Sequence, residues 1–264
     1  MSGRDLGYGP WIWPSPSTSR CKCSEWISHP DFFPVSPPKN VTFQIESVTN
    51  LPSDWTDTFT LVHQRLLMVA LQVPDWPQAL REIYRVIRPG GYVQLGESRP
   101  WYEEEFPDRP CTNKLVSAYR CLVRARNLDV DCAAHMQEML EEAGFVDIHV
   151  EERAQCIGKW AGEDGIANAI NHGGVLRGFK TPILEAGGYG KIASEAEYDA
   201  LIEGQAKEWD DIPGLKREFY IFCARKPLWM VGSHKWAWAN MYFNLYAHHV
   251  SHREYILSKL AING

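Results

Sequence analysis

Residues 4–13 read RDLGYGPWIW. An acid ahead of a Gly-x-Gly pair, Asp5 with Gly7 and Gly9, is a residue set that can cradle a nucleotide. The glycines permit a tight turn and close backbone approach, and a helix start behind them offers oriented N–H groups. Alone, a Gly-x-Gly is a weak motif. Other candidates are scattered further along. His63 and Arg65 close an apolar run, Glu97 ends another, Trp101 and Tyr102 follow it, and His172 sits in NAINHGGVLRG beside Asn168 and Asn171. No metal is expected. Cys21-Lys22-Cys23 has no matching Cys/His pair, and His234, His248, His249 and His252 lack a carboxylate at ligand spacing.

These residues act together only if a sheet collects them. VTFQI (41–45) alternates and reads as a strand, and FTLVH (59–63) reads as a second. Residues 64–72 look helical. DWPQALREIYRVI (75–87) is an amphipathic helix with Leu80, Ile83, Tyr84 and Ile87 on one face, Pro77 near its start and Trp76 as a staple. RPGG (88–91) stops it, and YVQLGE (92–97) is the next strand. Further helices are expected over 111–126 and 133–145, then a strand over 146–153. Two or three helices with Gly-rich joints follow over 158–210, and a strand over 218–227. Strand–helix–strand order implies a parallel sheet with helices on its faces, and ligands then sit at the carboxyl edge, where His63, Arg65 and Glu97 fall. Residues 14–40 hold six Pro and six Ser without apolar periodicity and read as irregular chain.

The chain has 264 residues, a net charge of -6 and a pI near 5.9. That acidity excludes nucleic acid as the main partner. No signal segment and no apolar run long enough to span a membrane is visible. Seven cysteines without regular spacing fit a reducing compartment, hence the cytoplasm or the nucleus.

The order FTLVHQR, DWPQALREIYRVIRPGGYVQLGE, EMLEEAGFVDIHVEER, REFYIFCARKP resembles the second half of a class I S-adenosylmethionine-dependent methyltransferase. Within that class it is similar to the fungal enzymes of secondary metabolism and of velvet-type regulatory complexes. The resemblance covers residues 41–227. It implies an α/β fold: a Rossmann-like, mostly parallel sheet with helices on both faces and an antiparallel final strand. It also places DLGYGPWIW on the family's glycine loop, in register through Ile12-Trp13, with Trp11 in place of the third glycine and Pro14 and Pro16 where a helix should run. Four residues precede Asp5, so the first part of the sheet is expected to be degraded. No clear strand is expected in SEWISHPDFF, whose only acids are Glu25 and Asp31.

The resemblance implies S-adenosylmethionine as cofactor, held by Asp5, Gly7, Gly9, Glu46, Ser47, His63 and Arg65. It implies a small-molecule acceptor of the secondary-metabolite type, lined by Glu97, Trp101, Tyr102 and His172, with His63 or His172 as base where one is needed. The expected domain is residues 1–227. Residues 228–264 form an aromatic, His-rich extension that packs on the domain, binds a protein partner or mediates self-association. Two alternatives stay open: a methyltransferase-like binding or regulatory protein without catalysis, and a methyltransferase fold turned to another reaction on a metabolite. An altered coding sequence would also explain why family features stop and resume abruptly around 10–40 and after Pro227.

Overall fold

The computed structural model describes residues 22–27, 41–228 and 260–263. They form one seven-stranded sheet: β1 (Lys22–Ile27), β2 (Val41–Ile45), β3 (Phe59–Arg65), β4 (Ile87–Ser98), β5 (Val146–Cys156), β6 (Lys216–Arg225) and β7 (Leu260–Asn263). Their order across the sheet is β2-β1-β7-β3-β4-β6-β5. β1 pairs parallel with β2, and β3 with β4. β6 runs antiparallel between β4 and β5, and β7 antiparallel between β1 and β3, so β1–β5 all point the same way.

Two strands depart from the sequence expectation. β1 forms inside the stretch that reads as irregular, with Glu25 in its middle. Its Lys-Cys-Ser-Glu-Trp-Ile sequence shows no alternation, and pairing on both sides with β2 and β7 supplies the order that pattern lacks. β7 comes from the far end of the chain and lies between two strands about two hundred residues or more earlier, a placement no local pattern announces.

Six helices complete the described architecture: α1 (Asp75–Val86), α2 (Pro110–Ala125), α3 (Met136–Glu142), α4 (Gly162–Gly178), α5 (Lys180–Glu185) and α6 (Glu195–Asp211). The helix expected over 64–72 does not form. Leu66 takes a left-handed φ of 56°, and residues 67–71 make a single turn closed by Leu71 N–H to the Leu67 carbonyl. The helix expected from 133 begins only at Met136, after a 3₁₀ turn over Cys132–Ala134.

One core packs the inner face of the sheet. Val62, Val93, Leu95, Phe222 and Ala224 meet Trp76, Leu80 and Ile83 of α1 and Met136 and Leu140 of α3, all 3 % exposed or less. Lys226 clips the sheet to the end of α1. Its ammonium, nearly buried, donates to the carbonyls of Tyr84 (2.9 Å) and Ile87 (2.8 Å) and pairs with Asp57 (2.7 Å), which satisfies carbonyls a helix terminus leaves open.

A second core lies beyond the carboxyl edge, where Trp101, Phe106 and α2 meet α4 and α6. The Glu208 carboxylate caps α2, accepting from Cys111 N–H (2.7 Å), Thr112 N–H (2.8 Å) and the Thr112 hydroxyl (2.7 Å). A carboxylate at a helix N-terminus also complements the helix dipole.

Candidate functional site

The chain runs from β1 to β2 on one side of β7 and from β3 to β4 on the other, so the direction of strand progression reverses at the β1/β3 position. In open α/β sheets the crevice outside the carboxyl ends at such a switch point is where ligands bind. The described residues at that edge are the ends of β2 and β3, the turn over 66–71, and the segment after β4.

Glu46 and Ser47 follow β2 directly. Glu46 is half-buried, and the exposed Ser47 hydroxyl bonds Thr49 Oγ1 at 2.8 Å. Asp5, Gly7 and Gly9 lie outside the described residues.

His63 is paired within β3 rather than beyond it. Its Nδ1 bonds Gln94 Oε1 at 2.9 Å, and Gln94 Nε2 reaches Cys223 Sγ at 3.5 Å, giving a polar row across three strands. Burial and the nearby Arg65 charge lower the His63 pKa to about 4. Arg65 ends β3, half-buried, with its guanidinium 5.8 Å from the Phe219 ring centroid.

Glu97 is fully buried, so it offers no surface to an acceptor; this corrects its expected substrate-lining role. Its carboxylate instead holds the turn that follows β3. Oε1 accepts from Leu67 N–H (2.8 Å) and Gln64 Nε2 (3.1 Å), and Oε2 from Met68 N–H (3.3 Å). Burial outweighs those donors and the Arg65 charge, and raises the Glu97 pKa to about 8. Residues 64 and 65 continue β3 and Leu66 takes a left-handed φ, so no helix begins there; the Glu97 carboxylate caps the single turn that follows.

Trp101, Tyr102 and His172 do come together. Trp101 is 6 % exposed, and its ring centroid stands 5.5 Å from His172 and 5.5 Å from Trp209, with the Arg217 guanidinium 4.8 Å above it. His172 Nδ1 lies 3.2 Å from Arg217 NH1. A guanidinium has only donors, so Nδ1 accepts and the ring is neutral with its proton on Nε2. Burial, then the Arg217 charge, hold the His172 pKa well below its ordinary value. Neither His63 nor His172 is therefore a strong proton acceptor near neutrality.

Tyr102 is half-buried and clasped by charge. The guanidiniums of Arg120 and Arg99 lie 4.7 and 5.2 Å from its ring centroid, its hydroxyl donates to Asp131, and Arg120 NH1 lies 3.6 Å from Asp131. Burial first, and Asp131 next, raise the phenol pKa. Such cation–ring contacts contribute about 0.5–2 kcal/mol each as desolvation increases. Tyr102→Phe keeps the ring stack and removes only the hydroxyl. It is expected to cost about 1–2 kcal/mol, read as a lower denaturation midpoint, whereas Tyr102→Leu should cost more because the stack goes too.

Arg217 and Asp131 carry this wall together with Arg99 and Arg120, and sequence reasoning singles out none of the four as a site residue. Arg217 opens a strand and Asp131 sits in a loop, so neither shows a periodic signal. The available hint is composition: guanidiniums gather where two aromatic residues follow a strand end.

Residues 30–95 match the family described as "Methyltransferase domain". The chain is 29% identical over 142 residues to the N-methyltransferase sirN of Leptosphaeria maculans, covering 53% of this chain and 50% of that one. It is 28% identical over 164 residues to the methyltransferase pytC of Aspergillus terreus, covering 59% and 49%. It is 22% identical over 173 residues to the secondary metabolism regulator laeA of Gibberella zeae, covering 60% and 53%. The chain spans about half the length of each of these three relatives. Strand order, family match and these relatives agree: the chain is related to the class I S-adenosylmethionine-dependent methyltransferases, among fungal relatives named as methyltransferases and as regulators of secondary metabolism.

Proposed function

We propose that the chain binds S-adenosylmethionine at the β1/β3 switch point and supports methyl transfer to a small-molecule acceptor. The observation that carries this reading is the reversal of strand progression at that position, on a chain whose residues 30–95 match a methyltransferase domain.

The donor set at the crevice suits such a ligand in part. Glu46 and Ser47 supply oxygen acceptors for its hydroxyl and amino groups. Asp5, Gly7 and Gly9 are the residues for close backbone approach. Arg65 approaches from the carboxyl end of β3, whereas His63 is engaged by Gln94 within the strand.

When bound, the cofactor supplies an activated methyl group on a sulfonium. The protein then has to align the acceptor and exclude water. Tyr102 and Arg217, half-buried and with Trp101 and His172 packed behind Arg217, offer an aromatic and cationic surface suited to positioning. The low basicity of both histidines fits an acceptor that needs no proton removed by the enzyme, such as an amine. The test is transfer of label from methyl-labelled S-adenosylmethionine to a panel of aromatic amines and phenols, with product extracted and counted. Labelled amine is the expected result; label on no member of the panel speaks against the reading.

The alternative is a binding or regulatory protein of methyltransferase fold. Trp11 at the third glycine position favours it, as does the likeness to laeA. It would show as cofactor-independent capture of a protein partner, unchanged in Gly7→Trp.

A further inference from the structure

The two faces of the sheet are not treated alike. The inner face meets α1 and α3. The outer face presents Leu61 and His63 of β3, Tyr92 and Gln94 of β4, and Ile221 and Cys223 of β6, which share a side by strand register and by the His63–Gln94–Cys223 row. None of these six belongs to either packed cluster among the described residues, yet all six are only half-exposed. Sheets of mainly parallel strands are ordinarily covered on both faces.

The ends of one segment say what covers this face. Residue 228 lies at the amino edge of the sheet: the position of a Cβ on Gly90 falls 2.8 Å from the Leu228 side chain, and Gly90 N–H bonds the Lys226 carbonyl. Leu260 pairs with His63 of β3 and Glu25 of β1, toward the carboxyl edge. Residues 229–259 must therefore pass from one edge of the sheet to the other, roughly 20 Å along the strands and about 10 Å across them. A chain of that length reaches roughly 100 Å extended, so the route is easily spanned. The inner face of β3, β4 and β6 is already packed against α1 and α3.

The segment's composition fits the face. It carries Trp229, Trp236, Trp238, Tyr242, Phe243 and Tyr246. Aromatic side chains with polar tips suit a surface that mixes Leu, Tyr and Ile with a row of His, Gln and Cys. The low pKa of His63, caused chiefly by burial, agrees with a covered face.

We infer that the outer face of the sheet, built on Leu61, His63, Tyr92, Gln94, Ile221 and Cys223, is the docking surface for residues 229–259 of the same chain. β7 is then the end of a strap that crosses the sheet and enters it between β1 and β3. This reading is independent of cofactor binding and of methyl transfer.

The experiment places the photo-crosslinker p-benzoylphenylalanine at Ile221 or at Tyr92 of the full chain, with Val150 as control. Val150 pairs with Phe222 and so faces the other side. Irradiation is expected to give an intramolecular product at monomer mass. After digestion the Ile221 and Tyr92 sites should be joined to peptides from 229–259, and Val150 should not. Products joined to 1–21 or 28–40, products only at dimer mass, or no product would overturn the assignment. Hydroxyl-radical footprinting of the unaltered chain covers the case in which both variants fail to fold. Tyr92, Trp236 and Trp238 should be oxidised at least fivefold more slowly than in the unfolded chain, and oxidation at the unfolded rate would overturn it.

Discussion

Replacing Glu97 by leucine is expected to cost about 3–5 kcal/mol, because the Leu67 and Met68 N–H groups and Gln64 Nε2 all lose a buried acceptor. A buried donor left without a partner costs about 1–3 kcal/mol, and three in one network add less than fully. Glu97→Gln should be much milder, since one amide oxygen still serves Leu67 and Gln64. The two variants also separate charge from hydrogen bonding through pH. The Glu97 carboxyl is raised from 4.5 to about 8 in the folded protein, so the folded state holds its proton more tightly than the unfolded chain. Its contribution is fully present below pH 4.5 and is lost as pH rises through 8. Over that window the loss is on the order of 4–5 kcal/mol as an upper bound. Denaturant midpoints of wild type and Glu97→Gln, measured from pH 5 to pH 9, should diverge as pH rises, with the wild type falling. Parallel curves would show that Glu97 ionises normally.

The network offers a reason for this response. Gln64 Oε1 has no partner in the arrangement in which Nε2 donates to Glu97. Turning the Gln64 amide over would let a protonated Glu97 donate to that oxygen. The turn after β3 is thus held in either charge state, but by different bonds.

Gly158→Ala is the second change with a large expected effect. Gly158 joins β5 to α4 with φ 111° and ψ 165°, a region essentially restricted to glycine, where another residue costs about 1–3 kcal/mol. A Cβ there would stand 2.0 Å from the Trp209 carbonyl oxygen, and Gly165 in α4 approaches the Gly158 carbonyl closely enough that its own Cβ would lie 2.2 Å away. Backbone cannot yield as a flexible side chain does, so overpacking adds about 1–3 kcal/mol. Together the loss is about 3–5 kcal/mol, or roughly 10 °C in melting temperature for a chain of this size. The displacement would pass into α4 and move His172 against Arg217 and Trp101. Gly174→Ala, in the same helix with nothing within 4 Å of the added Cβ, should instead gain about 0.5–1 kcal/mol. Thermal melts of the two variants in opposite directions are the expected result. Equal melts would place the constraint elsewhere.

These effects also mark where the sequence was legible. The helix at 75–86 and the strands at 59–65, 87–98, 146–156 and 216–225 follow from periodicity and from punctuation by Pro and Gly, because their inner faces are mainly apolar, with Gln64 and Glu97 as buried exceptions. The resemblance assigns Trp101, Tyr102 and His172 to one pocket, and Trp101 and His172 do lie side by side. The buried charges were harder to read. Glu97 looks from its place at a strand end like a residue open to ligand. Only the fold shows that the amides of the turn after β3 close over it. Arg217 and Asp131 enter the site through contacts with residues 45 and 29 positions away, which leave no local pattern. β7 is the extreme case, a short strand whose register is set entirely by β1 and β3.

The central claim is that this sheet still binds S-adenosylmethionine at its switch point. Isothermal titration of the full chain tests it most directly. Saturable heat at one site per chain is expected, with half-saturation between about 1 μM and 1 mM, and its loss in Gly7→Trp. No heat up to about 1 mM ligand, or heat unchanged by Gly7→Trp, would contradict it.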